Sequence, residues 1–309
     1  MSQVRTREEL PATTPREVAD GVYAFAQADG SWWINTAGFV VGGDHVVLVD
    51  TCATERRTRG LLDAVRAVAS RPVRTVVNTH GHGDHVYGNA LLPEATIIGH
   101  RACRAMMLAD TIRETAGFIW DPAPDWGVVT TVPPTVTFDD RLTVHVDDRP
   151  MELLFAGTPA HTTGDIVAWL PEQRLLFTGD LVFNGGTPMA VMGSVAGSIE
   201  AVARLRELGA ETLVPGHGEP CGVEVFDTVE RYLRFVQQVA ADAWGAGLTP
   251  LQAARETDLG QWAELTDAER IVLNLHRAYA EIGGGAVDIP SAFLDAVAYN
   301  GGRPLRCLA

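Results

Sequence analysis

The spacing of apolar and polar positions divides the chain into a strand-rich first part and a helical last part. From Gly21 the apolar runs are short and rich in β-branched and aromatic residues. They cover 21–27 (GVYAFAQ), 34–43 (INTAGFVVGG) and 45–50 (HVVLVD), with glycine or aspartate at their edges. Such runs read as strands. Over 54–69 the spacing changes, and Leu61, Leu62, Val65 and Val68 fall on one helical face. A strand at 73–78 (VRTVVN), another at 95–99 and a helix at 103–112 (CRAMMLADTI) follow. Further strands are expected at 142–146, 151–157, 165–171 and 174–180. Residues 198–208 read as a helix with Ser198 as N-cap, and 212–216 (TLVPG) as a last short strand.

Past Val223 the periodicity is helical: Phe226, Val229, Leu233, Val236, Ala240 and Ala243 share a face. Thr249 opens TPLQ, with proline in the first turn and glutamine at the capping-box position. TDAE at Thr266 repeats that signal ahead of Ile271, Leu275, Tyr279 and Ile282. Strands interleaved with helices imply a layered α/β architecture. The expected organisation is a loosely ordered leader over 1–19, an α/β domain over 20–222 and a helical C-terminal extension over 223–309 packed on it.

Composition narrows the partners. Apolar residues make up 46% and charged residues 20% of 309, enough to build a sizeable core. The formal net charge of -15 disfavours nucleic acid and anionic membranes, which need a basic surface. All 24 basic residues are arginine. The first residues lack the apolar core of a signal peptide, and no run is long enough to span a bilayer, so a cytoplasmic location is expected. Cys52, Cys103, Cys221 and Cys307 show no CxxC spacing and read as reduced thiols.

The chemistry concentrates in 76–90 (VVNTHGHGDHVYGNA), where His80, His82, Asp84 and His85 follow a strand directly. A loop leaving a strand end can aim several side chains at one point, and these residue types suit a borderline-soft divalent ion such as zinc. His161 (in GTPAHTTGD), Asp180 (ending RLLFTGD) and His217 (in VPGHGEP) each follow an apolar strand and neighbour glycine. They can therefore reach the same sheet edge, where sites assemble in open α/β sheets. His45, His100, His145 and His276 stand outside the pattern.

With HxHxDH followed by His, Asp and His, the sequence resembles the metallo-β-lactamase-fold superfamily over about residues 20 to 220. The resemblance implies a four-layer αβ/βα sandwich with metals at one edge. It also implies two zinc ions, or iron or manganese in their place. One would be held by His80, His82 and His161, the other by Asp84, His85 and His217, with Asp180 bridging both. Asp180 looks like the bridging carboxylate of the superfamily's thioesterases, lactonases and phosphodiesterases, which argues against antibiotic hydrolysis. A shared hydroxide would attack a carbonyl or phosphoryl centre, with Asp84 orienting it or passing a proton to the leaving group. The same centre would also support an enolate for ring closure.

Stretches such as DGSWWINTAGFVVG, ADAWGAGLTPLQAAR and AYNGGRPLRCLA are similar to bacterial second-ring cyclase/thioesterases of aromatic polyketide pathways. That narrower resemblance implies a small-molecule or carrier-bound acyl substrate. Hydrolysis of a small lactone or glutathione thioester is the competing reading, and a scaffold with a relic site is the non-enzymatic one. Trp32 and Trp33, together with Phe118, Trp120 and Trp126 in a Pro-rich insertion, suit a wide apolar substrate or simply fill a core. Tyr87 and Asn89 could bond substrate or serve structure. Arg101, Arg104 and Arg113 could form a docking patch or a solvated face. The one-sided apolar faces of the tail leave room for a homodimer contact.

Overall fold

Alternate residues of the buried strands feed two different cores, and this alternation sets the layering. The computed structural model describes residues 12–115 and 119–309. In chain order the first sheet takes β1 (Arg16–Ala19), β2 (Val22–Ala26), β3 (Thr36–Val41), β4 (Val46–Val49), β5 (Val73–Asn78) and β6 (Thr96–His100). The two-residue β7 (Trp120–Asp121) lies apart, and β8 (Val136–Phe138) closes the sheet beside β6. Pairing is antiparallel from β1 to β4 and parallel from β4 to β8. The second sheet is β9 (Arg141–Val146), β10 (Arg149–Phe155), β11 (Ile166–Leu170), β12 (Leu175–Phe183) and β13 (Thr212–His217), each beside the next. Only β12 and β13 run parallel there.

In β4, Val47 and Val49 join Met151, Leu153, Ile166 and Phe177 between the sheets. Val46 and Leu48 point the other way, into a core with Leu61, Leu62 and Val65 of α1 (Glu55–Val68). Because β4 and β5 are covered on both faces, their sequences read as continuous apolar runs. Short helices α2 (Gly83–Val86), α3 (Arg101–Ala109) and α4 (Ile112–Thr115) follow the parallel strands. The outer face of the second sheet, with Leu176 and Leu213, packs with Val202 and Leu205 of α5 (Val195–Glu207) and Val229 of α6 (Val225–Gly245). The order helix, sheet, sheet, helix is the expected αβ/βα sandwich.

The tail continues through α7 (Pro250–Glu256), α8 (Arg270–Gly283) and α9 (Ile289–Tyr299). Its last strand, β14 (Leu305–Arg306), pairs in parallel with β7. Arg57 of α1, buried, donates to the Leu308 carbonyl at 2.6 Å, which ties the tail to the first layer. Among the described residues no helix is long and apolar enough to cross a membrane. Among the described residues no disulfide is formed.

Several expected details differ. Part of the leader is ordered, since β1 pairs with β2, while residues 1–11 lie outside those described. The helix expected over 103–112 breaks at Asp110, whose backbone is extended (ψ 125°). Asp180 lies inside β12 instead of ending it; the ladder to β13 shifts register on both sides of Gly179, which leaves the carboxylate free to turn inward. Thr249 makes its full capping box, but Thr266 caps nothing. Its backbone is already committed to a bridge with Gly186, so α8 starts at Arg270. The N-cap of α5 is Ser194, which accepts from Gly197 N at 2.9 Å, whereas Ser198 is one turn inside and donates to the Ser194 carbonyl.

Ser194→Ala should therefore lower stability by about 1 kcal/mol in chemical denaturation. Ser198→Ala should cost only a few tenths, because its hydroxyl bonds a carbonyl that the helix already uses. Equal losses would contradict this assignment of the cap.

Candidate active site

Strand ends from both sheets meet at one edge and deliver seven polar side chains. β5 leads through Thr79 and His80 to His82, the N-cap of α2, and Asp84 and His85 occupy the first turn. Gly83 must lack a side chain, since a Cβ there would sit 2.3 Å from the Tyr87 ring. From the second sheet come His161 in the β10–β11 loop, Asp180 within β12 and His217 ending β13. Gly216 makes room for the carboxylate: a Cβ there would lie 1.9 Å from Asp180 Oδ1.

The seven fall into two groups, His80, His82, His161 and Asp180 in one and Asp84, His85 and His217 in the other. Within each, the donor atoms lie within 4.8 Å of one another. In the first group His82 Nδ1 is 3.2 Å from His80 Nε2 and 2.8 Å from His161 Nε2. In the second, His217 Nε2 is 3.2 Å from Asp84 Oδ2. Asp180 stands between them. Its Oδ2 is 3.3 Å from His161 and 3.4 Å from His217, and its Oδ1 is 3.1 Å from His85 Nε2.

Behind each ring, a second set of contacts fixes the tautomer. His161 Nδ1 donates to the Met189 carbonyl at 2.6 Å and His217 Nδ1 to the Gly30 carbonyl at 3.0 Å. His85 Nδ1 donates to Asp50 Oδ2 at 2.8 Å, and Asp50 also takes the Thr79 hydroxyl at 2.7 Å. With its own proton given to Asp50, the Thr79 oxygen accepts from His80 Nδ1 at 3.1 Å. His82 is turned the other way, with Nε2 against the Met192 sulfur at 3.1 Å. The lone pairs of these rings therefore converge on one another. His85 Nε2 and Asp180 Oδ1, both buried, make no hydrogen bond despite their proximity. Converging lone pairs and orphaned donor atoms are what a divalent cation satisfies, and imidazole with carboxylate is a suitable donor set.

The electrostatics differ between the groups. Burial, reinforced by neighbouring imidazoles, holds His80 well below the ordinary imidazole range; burial also lowers His82, and lowers His161 to about 3. Burial opposes charge on His217 too, but Asp180 and Asp84 outweigh it and raise the ring to about 9. His85 is raised well above its usual value, because Asp180, Asp84 and Asp50 overcome the same burial. Burial pushes Asp84 up, yet His85 and His217 more than compensate and hold it at about 2.

A cavity of about 710 Å³ opens over this cluster, with His82, Asp84, Asp180 and His217 in its lining. Its walls are largely apolar: Trp32, Trp33, Trp120, Met106, Met192 and Phe293 contribute. Trp33 holds a left-handed backbone (φ 67°), a conformation that costs a bulky residue about 1–3 kcal/mol and tends to mark functional sites. The tail fixes Trp32, whose indole N–H donates to Glu269 at 2.8 Å while the Arg270 guanidinium stacks on its ring at 4.2 Å. Arg270 also lies 5.2 Å from the Phe183 ring, which in turn stacks on His217.

Not every aromatic candidate reaches the cavity. Trp32, Trp33 and Trp120 line it, whereas Trp126 packs behind Trp33 and against Tyr87. Phe118 lies outside the described residues. Tyr87 is buried with its hydroxyl on Asp110. Asn89 is fully buried and bonds Asn78 and the Val132 carbonyl, so it serves the scaffold. The three arginines proposed as a patch are engaged within the chain. Arg101 pairs with Asp139, Arg104 donates to the Pro134 carbonyl, and Arg113 bonds Val129 and Thr131. Sequence reasoning passed over Asp50, although an aspartate closing the strand HVVLVD just ahead of the histidine loop was a readable signal. It also passed over Arg270, for which periodicity offers no cue.

The family model for the metallo-beta-lactamase superfamily matches residues 30–217. Metallo-beta-lactamase type 2 of Bacteroides fragilis is 26% identical over 221 residues, 68% of this chain and 81% of that protein. An acyl-coenzyme A thioesterase of Homo sapiens is 27% identical over 240 residues, 66% of this chain and 84% of that protein. Among solved structures, a metallo-beta-lactamase from Pontibacter korlensis superposes with a TM-score of 0.58 at 20% identity, covering 72% of this chain and 99% of that one.

The two groups should load with different pH dependence. A ring with a raised pKa must lose its proton before it can donate, so ion affinity at Asp84, His85 and His217 should climb with pH, the His217 proton leaving near pH 9. The rise should be up to about tenfold per pH unit for each proton released. The other group, already neutral, should change little near neutrality. Chelator competition from about pH 6 to 9 checks this, and equal slopes would contradict it. Asp180→Ala and Gly216→Ala should each lower occupancy of both groups in elemental analysis.

Proposed function

Since the chain belongs to the metallo-beta-lactamase superfamily, we propose that it is a dinuclear, zinc-dependent hydrolase of acyl thioesters that carry a bulky apolar acyl group. One observation carries this reading: four of the seven clustered donors, His82, Asp84, Asp180 and His217, form the polar floor of a large cavity whose walls are mostly aromatic and aliphatic. Zinc suits the imidazole and carboxylate donors, and iron or manganese would be accepted by the same set. Two such ions would supply a hydroxide nucleophile near neutral pH and polarise the carbonyl oxygen. The relative named as an acyl-coenzyme A thioesterase supports the choice of thioester.

The chain's own groups divide the remaining work. Asp84, kept ionised at about 2 and aimed at His217, is an acceptor that orients an attacking water. Asp180 faces both groups, so one carboxylate fixes their separation. Trp32, Trp33 and Trp120 provide flat apolar surface for the acyl group and exclude water from the floor. Arg270 holds Trp32 in place. A polyketide cyclase/thioesterase role is the specific form of this proposal, because a largely apolar cavity of about 710 Å³ has the volume for fused rings. A glutathione thioester is disfavoured: among the described residues Arg270 is the only arginine lining the cavity, and it is spent on Asp267 and the Thr187 carbonyl.

A panel of acyl thioesters, lactones, phosphodiesters and β-lactams tests the reaction class. Thioester or lactone turnover should dominate and β-lactam turnover should be negligible; efficient penicillin hydrolysis would overturn the proposal. Trp33→Ala should raise KM for a bulky aromatic acyl thioester by about thirtyfold, from roughly 2 kcal/mol of lost burial. It should barely affect an acetyl thioester and leave metal content unchanged. An equal loss on both substrates would assign Trp33 to the fold instead.

A further inference from the structure

Beyond the floor, the cavity wall contains two charged side chains, Arg270 and Asp110. Their situations are opposite. The Arg270 guanidinium is almost fully buried, stacked on two rings and paired with Asp267. Asp110 is half-buried, and among the described residues no cation pairs with it. It receives the Tyr87 hydroxyl on Oδ2 and the Ile112 N–H on Oδ1, the latter at 2.9 Å. A carboxylate offers about four acceptor sites, so two remain.

The chain goes to some length to put this group there. The helical run expected over 103–112 is interrupted at Asp110 itself, which leaves the helical conformation at the end of α3. Tyr87, which packs against Trp33 and the Arg113 guanidinium, holds Oδ2 through its hydroxyl. The neighbours along this wall, Ala105, Met106, Ala109 and Ile112, are apolar. An apolar ligand that covers Asp110 without offering a donor strips water from a carboxylate and returns nothing. A ligand carrying an O–H at that point restores the bond. Sites of this kind reject the analogue that lacks the hydroxyl far more strongly than a hydrophobic pocket rejects an added one.

We propose that Asp110 is a specificity-determining residue that accepts a hydrogen bond from a hydroxyl or phenolic O–H on the acyl group. This rests on the reading of the cavity as an acyl site, and it narrows the substrate class to hydroxylated, ring-bearing acyl groups in preference to plain hydrocarbon chains.

The test measures binding, so it does not depend on turnover. Trp32, Trp33 and Trp120 line the cavity and report occupancy by fluorescence quenching in the metal-loaded full chain. The probes are 2-naphthol and 2-methoxynaphthalene, which share the ring but not the donor. The parent should bind 2-naphthol at least about tenfold more tightly, the scale of one hydrogen bond to a charged group. Asp110→Ala, which removes the acceptor, should bring the ratio to about one, and Asp110→Asn, which keeps a neutral acceptor, should lower it severalfold, with the affinity for 2-methoxynaphthalene unchanged or improved. A parent ratio near one would overturn the proposal. So would a preference undiminished in the folded Asp110→Ala variant, which would assign the O–H to the metal centre. Hydroxyl preference without thioester turnover would sink the proposed reaction and leave this site standing; thioester turnover without the preference would do the reverse.

Discussion

Five imidazoles and two carboxylates, all buried except the half-buried His82, are crowded at one sheet edge, and much of the fold answers to that crowding. Such a cluster is costly unless each group is oriented and its front is covered by opposite charge. The orientation comes from behind. Asp50 receives His85 and Thr79, and Thr79 receives His80, so one carboxylate steadies two rings. Asp50 adopts a left-handed backbone to do this (φ 63°), which a short polar side chain tolerates better than most. On the far side the Met189 and Gly30 carbonyls hold His161 and His217. The sandwich thus supplies more than seven donors; it supplies their backing.

The tail extends the same logic from the floor to the wall. Phe293 of α9 packs against both Trp32 and Trp120, and β14 pairs with the strand that carries Trp120. Asn274 of α8 binds the Pro188 carbonyl and the Ala190 N–H, on either side of Met189, whose carbonyl holds His161. The helices after residue 225 therefore touch the site in two ways. They shape the cavity directly, and they brace the loop that orients a ring of the centre.

The histidine cluster was legible in the sequence because its residue types, order and strand-end context are all local properties. The strands were legible for the same reason, down to the turn that opens α7. What escaped depends on contacts distant along the chain. Ser198 and Thr266 carry good capping chemistry, but the Ser194 hydroxyl and the bridge to Gly186 claim the backbone first. Tyr87 and Asn89 sit beside the ligand loop in sequence, yet their polar groups are taken up within the chain, by Asp110 and by Asn78. Arg270 shows no periodic signal, because its role arises only where α8 meets Trp32. Local pattern identifies which residues do chemistry; it does not say which neighbours hold them.

The division between floor and wall has a consequence for biosynthesis. All seven donors lie between His80 and His217, whereas Glu269, Arg270 and Phe293 come later in the chain. A nascent chain folds its earlier part first as it leaves the ribosome. The centre can therefore gather its side chains and capture an ion while Trp32 and Trp120 still lack their cover. For that interval the emerging polypeptide presents an open aromatic face beside a charged floor in which the loop behind His161 still lacks its brace from Asn274. Arrival of α8 and α9 closes the face, turning an exposed, sticky surface into a binding cavity.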